Sequence, residues 1–286
     1  MTTTGATSDP AGLEARSAPR ARIGVFGIGL EAYWGQFDGL LERIQGYRRR
    51  VEERVAALGA EVVSAGLVDT AEGAREAGDR FARGQVDLVL CHAVTYATSS
   101  QVLPAVQAAK APVVLLGLQP AATLDYANTG TGEWLANCAA CCVPELAGAF
   151  TRARIPYDTV AGTIDGDERA WAKIADWVGA AGVARALRRS RIGFLGHTYP
   201  GMLDMYSDFT AVHAQLGAHV EVLEIDDLGA RVAAATDAET DRKQAEIRAM
   251  FDFADPSDDP IAGPIEPACC PLLKRSAVSA SCIRVS

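Results

Sequence analysis

The sequence predicts an α/β protein, with a doubly wound parallel sheet of the flavodoxin- or Rossmann-like kind followed by a second, incomplete α/β domain. Three observations predict it. The openings RIGVFGIG at Arg22–Gly29 and RIGFLGH at Arg191–His197 each place a basic residue, a short buried-strand run and a turn glycine ahead of a helical stretch, so two such units are expected. The runs VDLVLC and VVLLG are apolar without alternation, as strands covered on both faces are. Strand-like and helix-like segments then alternate in short steps, which is the pattern of parallel crossovers.

Residues 1–21 lack the apolar core of a signal peptide and read as a disordered leader. Ile23–Ile28 is the first strand. Gln36–Leu58 carries Phe37, Leu40, Leu41, Ile44, Tyr47, Val51, Val55 and Leu58 at spacings of three and four, an amphipathic helix with Gly59 as its stop. A strand at Glu61–Ser64, a helix at Ala71–Arg83 and a strand at Val86–Cys91 follow. Next come a helix at Ser100–Lys110, a strand at Val113–Gly117, a loop at Leu118–Gly132, a helix at Glu133–Arg154 and a fifth strand at Tyr157–Val160. These complete an amino-terminal domain of residues 22–165.

A helix at Gly166–Arg188 links to the second domain, residues 166–254. That domain reads as strand Ile192–Leu195, helix Met202–Leu216, strand Val220–Ile225 and helix Ala238–Phe251. Met202, Met205, Phe209, Val212 and Leu216 fall on one helical stripe, a core pattern. Residues 255–286 hold five prolines and three of the seven cysteines without periodicity. They read as a disordered tail of the kind a frameshift or truncation leaves, a native flexible terminus being the other reading.

Composition narrows the function. The charge balance is 27 minus 36, or −9, and the densest basic run, Arg48-Arg49-Arg50, lies beside Glu52 and Glu53 on a helix, so nucleic acid is not an expected partner. No apolar run approaches the ~20 residues of a membrane span, and the odd, irregularly spaced cysteines do not form a secreted disulfide framework. A cytoplasmic protein is expected.

Candidate chemistry gathers at predicted strand ends, the edge where open α/β sheets place their sites. Gly24, Gly27 and Gly29 fit a dinucleotide turn poorly, because Ala32 stands where the last glycine is needed and Ser64 and Ala65 stand where an acidic ribose partner belongs. Glu31, Tyr33, Trp34 and Gln36 form a polar and aromatic cluster after the first strand. It suits a polyol-binding loop, or equally a loop anchored by a buried tryptophan. His92 closes the third strand, and Gln119, Asn128 and His197 share the same edge, whereas His213 and His219 look structural. Cys138 and Cys142 stand one turn apart in a predicted helix that also holds Cys141. Packing is the favoured reading there, with metal or redox chemistry as the alternative.

In order and spacing, GIGLEAYWGQ, VDLVLCHAVTYA, VVLLGLQPAATLDY, EWLANCAACCVPELAGAF and RIGFLGHTYPGMLDMYSDF resemble the amino-terminal and partial central domains of the arabinose isomerase family, over about Arg22–Pro264. That resemblance implies a metal-dependent aldose–ketose isomerase of carbohydrate metabolism, a homo-oligomer when full length. Its divalent cation, manganese-like, is held by two glutamates and two histidines of the later half, so no metal is expected on this chain. It also implies sugar contacts at Glu31, Tyr33, Trp34, His92 and Met202. Glu31 replaces a family glutamine and Cys141 a family histidine, which departs from arabinose as the substrate. The expectation is a truncated, inactive isomerase. The alternative is a small-molecule (sugar) binding module without catalysis.

Overall fold

The computed structural model describes residues 19–195 and 200–250. They form two compact units that divide between Ala186 and Leu187. The first contains five parallel strands, β1 (Arg22–Ile28), β2 (Glu61–Val68), β3 (Leu88–His92), β4 (Val113–Gln119) and β5 (Tyr157–Thr163), in the order β2-β1-β3-β4-β5. The expected doubly wound α/β architecture is therefore present. Its order reverses between β1 and β3, the switch point where ligands of such sheets sit.

Two apolar layers flank the sheet. On one face α1 (Leu40–Ala57) and α6 (Glu168–Arg188) pack Val51, Val55, Trp171, Ile174 and Val178 against Ile23, Val25, Leu88, Leu90, Val114 and Leu116. On the other, α2 (Ala71–Gly84), α3 (Leu103–Ala109) and α5 (Val143–Arg152) pack Ala77, Phe81, Val106, Leu146 and Phe150 against Phe26, Val89, Cys91 and Leu115. Residues of opposite parity on each strand serve opposite layers, which is why the strand sequences show no polar alternation.

Several boundaries differ from the sequence reading. Ala21, expected in the leader, is buried, and its carbonyl accepts from the Glu61 amide at 2.8 Å. The linking helix α6 belongs to the first unit up to Ala186, because its apolar stripe completes that unit's core. Asp87, under the start of β3, reinforces this by accepting from the Arg22 amide at 2.8 Å and pairing with Arg185 at 3.3 Å. The continuous helix expected at Glu133–Arg154 is two helices, α4 (Thr131–Ala136) and α5, separated by a turn. Pro144 lies in the first turn of α5, where its missing N–H costs nothing but where no helix runs through.

The second unit holds a two-stranded parallel sheet of β6 (Arg191–Leu195) and β7 (His219–Leu223), with α7 (Phe209–Leu216), α8 (Ile225–Ala234) and α9 (Asp237–Met250). Phe194 and Phe209 pack edge to face at 5.1 Å. The stripe expected to be core is not. Met202, Met205 and Leu216 are 46%, 48% and 40% exposed: α7 starts seven residues after Met202, so Met202 and Met205 precede it, and Leu216 is its last residue. The expected tail at 255–286 lies outside the described residues, as does His197.

Candidate functional site

Unit one ends its strands in a broad polar edge assembled from the loops after β1, β3 and β4. After β1 the chain does not enter a helix. A short 3-10 turn at Glu31–Tyr33 and further turns carry it to Gly39, and α1 begins at Leu40. The segment that follows the glycines of β1 is thus a run of turns, where a dinucleotide fold has a helix.

What fills the switch point is aromatic. Tyr33, Trp34 and Phe37 pack with Leu40, Ile44, Val94, Leu135 and Ala136, joining the β1 loop to the β3 loop and α4. Trp34 donates its indole N–H to Asp69 at 2.6 Å and lies directly on the backbone of Gly29, where any added Cβ would approach the ring to 2.8 Å. Gly29 is thus a close-packing glycine. Of the four sequence candidates in this unit, Tyr33 and Trp34 are half-buried loop anchors and the Glu31 carboxylate faces solvent. Burial raises the Tyr33 phenol above its ordinary range, with Tyr96 and Cys142 adding to the effect.

His92 is placed differently from a loop ligand. It is the last residue of β3, pairs in register with Gly27 and is fully buried under α1. Its Nε2 lies 3.5 Å from the Leu118 carbonyl, while Nδ1 has no partner. Burial pushes its pKa down to about 4; the Leu118 carbonyl opposes this and the nearby Arg48 charge adds to it. The ring is neutral at pH 7. Met202 stands in the second unit, exposed in the turn before α7.

A cavity of about 410 Å³ opens on the same edge, between α1, the loop after β4 and α4. Arg43, Tyr47, Asp125, Asn128, Glu133 and Asn137 line it, and the size is that of an ordinary small-molecule site. Arg43 grips Glu133 through two N–H groups, one at 2.9 Å, and this charge-assisted pairing, aided by Asn137, holds the carboxyl below its usual range. Asn137 donates to Glu133 Oε1 and to its backbone carbonyl, both at 2.9 Å. Its Oδ1 is buried and has no partner. Asp125 accepts from the Asn128 side chain at 2.7 Å and from the Ala127 amide at 3.1 Å, which lowers its pKa and shapes the loop.

Asn128 was legible in the sequence as an edge residue. Arg43, Glu133 and Asn137 were not, because Arg43 reads as a solvated position on an amphipathic helix and the other two as members of a single long helix. Gln119, the other edge candidate, ends β4 and accepts from the Ala139 amide at 3.4 Å. The cysteines require a correction. Cys138 and Cys141 lie in the turn between α4 and α5, where they form a disulfide, while Cys142 occupies the N-cap position of α5 without a side-chain capping bond.

Among the described residues no group of three or more His, Cys, Asp or Glu side chains is placed to share a metal ion. The Arg48 cation lies close enough to His92 to lower its pKa, a setting that disfavours a divalent cation at the ring. No helix among the described residues is long and apolar enough to cross a membrane. No protein-family model matches the chain, and no curated protein sequence matches it.

Proposed function

We propose that the first unit recognises an aldose or a closely related polyol at the carboxyl edge of its sheet, as the sugar-binding portion of an arabinose isomerase-like protein. The observation that carries this reading is the mixed polar lining of the 410 Å³ cavity, in which carboxylates, amides and a guanidinium converge. A polyol carries alternating donors and acceptors without net charge. Asp125 and Glu133 offer oxygens to its hydroxyl protons, and Arg43 and Asn128 offer N–H groups to its oxygens.

In that class the reaction is a metal-assisted exchange of a proton between neighbouring sugar carbons. The role we propose for the described residues of this chain is recognition of the sugar.

Calorimetric titration with a panel of aldopentoses, aldohexoses and their alditols tests the reading. The expected result is saturable binding, with Kd between about 10 μM and 1 mM and no requirement for added manganese. Asn137→Ala is expected to weaken the binding about tenfold, and Glu133→Gln by a similar factor. The absence of heat from every member of the panel, or affinities unmoved by both substitutions, contradicts it. Manganese-dependent conversion of an aldose to its ketose by this chain would show that recognition alone understates its role.

A further inference from the structure

We infer that the Cys138–Cys141 disulfide is a site of reversible thiol–disulfide exchange, with Cys141 as the sulfur that soluble thiols attack. Four features of the turn between α4 and α5 support this. Cys138 is buried at 4% exposure whereas Cys141 is exposed, so an incoming thiolate meets Cys141 first. Cys141 directly precedes Cys142, the N-cap of the ten-residue α5, and the positive end of that helix favours a thiolate there.

The third cysteine does not compete. Cys142 is fully buried and its thiol points to the Thr95 carbonyl at 3.5 Å and the Ala139 carbonyl at 3.9 Å. Burial raises its pKa and keeps it protonated, hence a poor nucleophile. The turn also has room to change: the disulfide encloses only Ala139 and Ala140, and the latter is exposed.

The chemistry balances with a soluble monothiol or dithiol as reductant. A thiolate attacks Cys141 Sγ, the S–S bond breaks, and Cys138 leaves as a thiolate that takes a proton from water. A second thiolate, or the other sulfur of a dithiol, then attacks the reagent's sulfur in the mixed disulfide. It releases the oxidised reagent and leaves Cys141 as a thiol. Two electrons pass from the reagent to the protein, and the reverse sequence restores the disulfide.

The test uses the full chain equilibrated in graded mixtures of reduced and oxidised dithiothreitol, quenched with acid, alkylated under denaturing conditions and mapped by mass spectrometry. The peptide containing Cys138, Cys141 and Cys142 is expected to carry one alkyl group at the oxidising end and three at the reducing end, with a single two-electron transition. A brief pulse of reagent on the folded, reduced protein is expected to mark Cys141 at least about tenfold faster than Cys138 or Cys142. In Cys142→Ala the transition is expected at the same ratio. Three alkyl groups at every ratio, one alkyl group at every ratio, or a disulfide containing Cys142 would each overturn the inference. The wild-type measurement decides even if the variant does not fold.

Discussion

Acidification from about pH 7.5 to about pH 4.5 is expected to cost the first unit roughly 2–3 kcal/mol of stability through one residue, His92. The ring is fully buried, and its pKa is lowered to about 4 in the folded protein against 6.5 for a free imidazole. Between these values the unfolded chain binds a proton that the folded chain refuses, so unfolding takes up a proton and stability falls with pH. The contribution is fully present above about pH 6.5 and is lost progressively as pH drops toward 4. Carboxylates such as Glu133 and Asp125 titrate at or below the acid end of the same interval, so the wild type alone does not isolate the effect. Urea unfolding of wild type and His92→Leu across this interval does, because the carboxylates cancel in the difference. The leucine variant is expected to gain on the wild type by the stated amount as pH falls. Parallel pH profiles would show that His92 is hydrated or paired in the folded state.

The second large effect lies at Gly24, in the middle of β1. Replacing a strand glycine by alanine ordinarily stabilises by about 0.5–1 kcal/mol, since it removes backbone freedom from the unfolded chain. Here a Cβ would lie 2.9 Å from Cδ1 and 3.0 Å from Cε1 of Phe81. That ring cannot retreat easily: it is wholly buried and packs on Phe26 at a centroid distance of 5.8 Å. Overpacking of this kind costs about 1–3 kcal/mol, so the clash outweighs the entropy and the sign reverses. Gly24→Ala is therefore expected to lower the urea midpoint at unchanged slope. Adding Phe81→Leu is expected to return part of the loss, so that the double variant is more stable than the sum of the singles by about 1 kcal/mol. Additive effects would mean that the helix shifts freely over the strand.

These two residues also indicate where sequence reading succeeds. Phe26, Val89 and Leu115 face one layer, and Val25, Leu88 and Val114 the other, so a strand with both neighbours apolar is a strand in a covered parallel sheet. That inference needs no tertiary knowledge, and the β2-β1-β3-β4-β5 sheet is the result. Element ends were less legible. Helical spacing continues smoothly from Trp134 through Leu146 and Phe150, and the break between them is announced chiefly by Pro144, a residue that also tolerates a helix start. Missing that break hid the disulfide turn and obscured the separate settings of Glu133 and Asn137. The stripe from Met202 to Leu216 misled for a related reason: three- and four-residue spacing says which side chains would share a face if a helix formed, not where the helix begins.

The sequence reading weighed the loop after β1 both as a polyol-binding loop and as a loop anchored by a buried tryptophan. Tyr33 and Trp34 pack between loops, and Trp34 has its indole N–H committed to Asp69, which is the arrangement of the anchoring reading. The cavity instead draws its lining from α1, the β4 loop and α4, which are brought together by folding alone and share no sequence motif. His92 was correctly placed at a strand end, but its side chain points under α1, a consequence of its even spacing from Leu88 and Leu90 on the same face.

The most direct test of the sugar-recognition account is amide hydrogen exchange with and without a saturating aldose from the calorimetric panel. The account predicts slowed exchange in the loop spanning 120–130 and in α4, with the second unit unchanged. Protection confined to the loop after β1, or to the second unit, would contradict it.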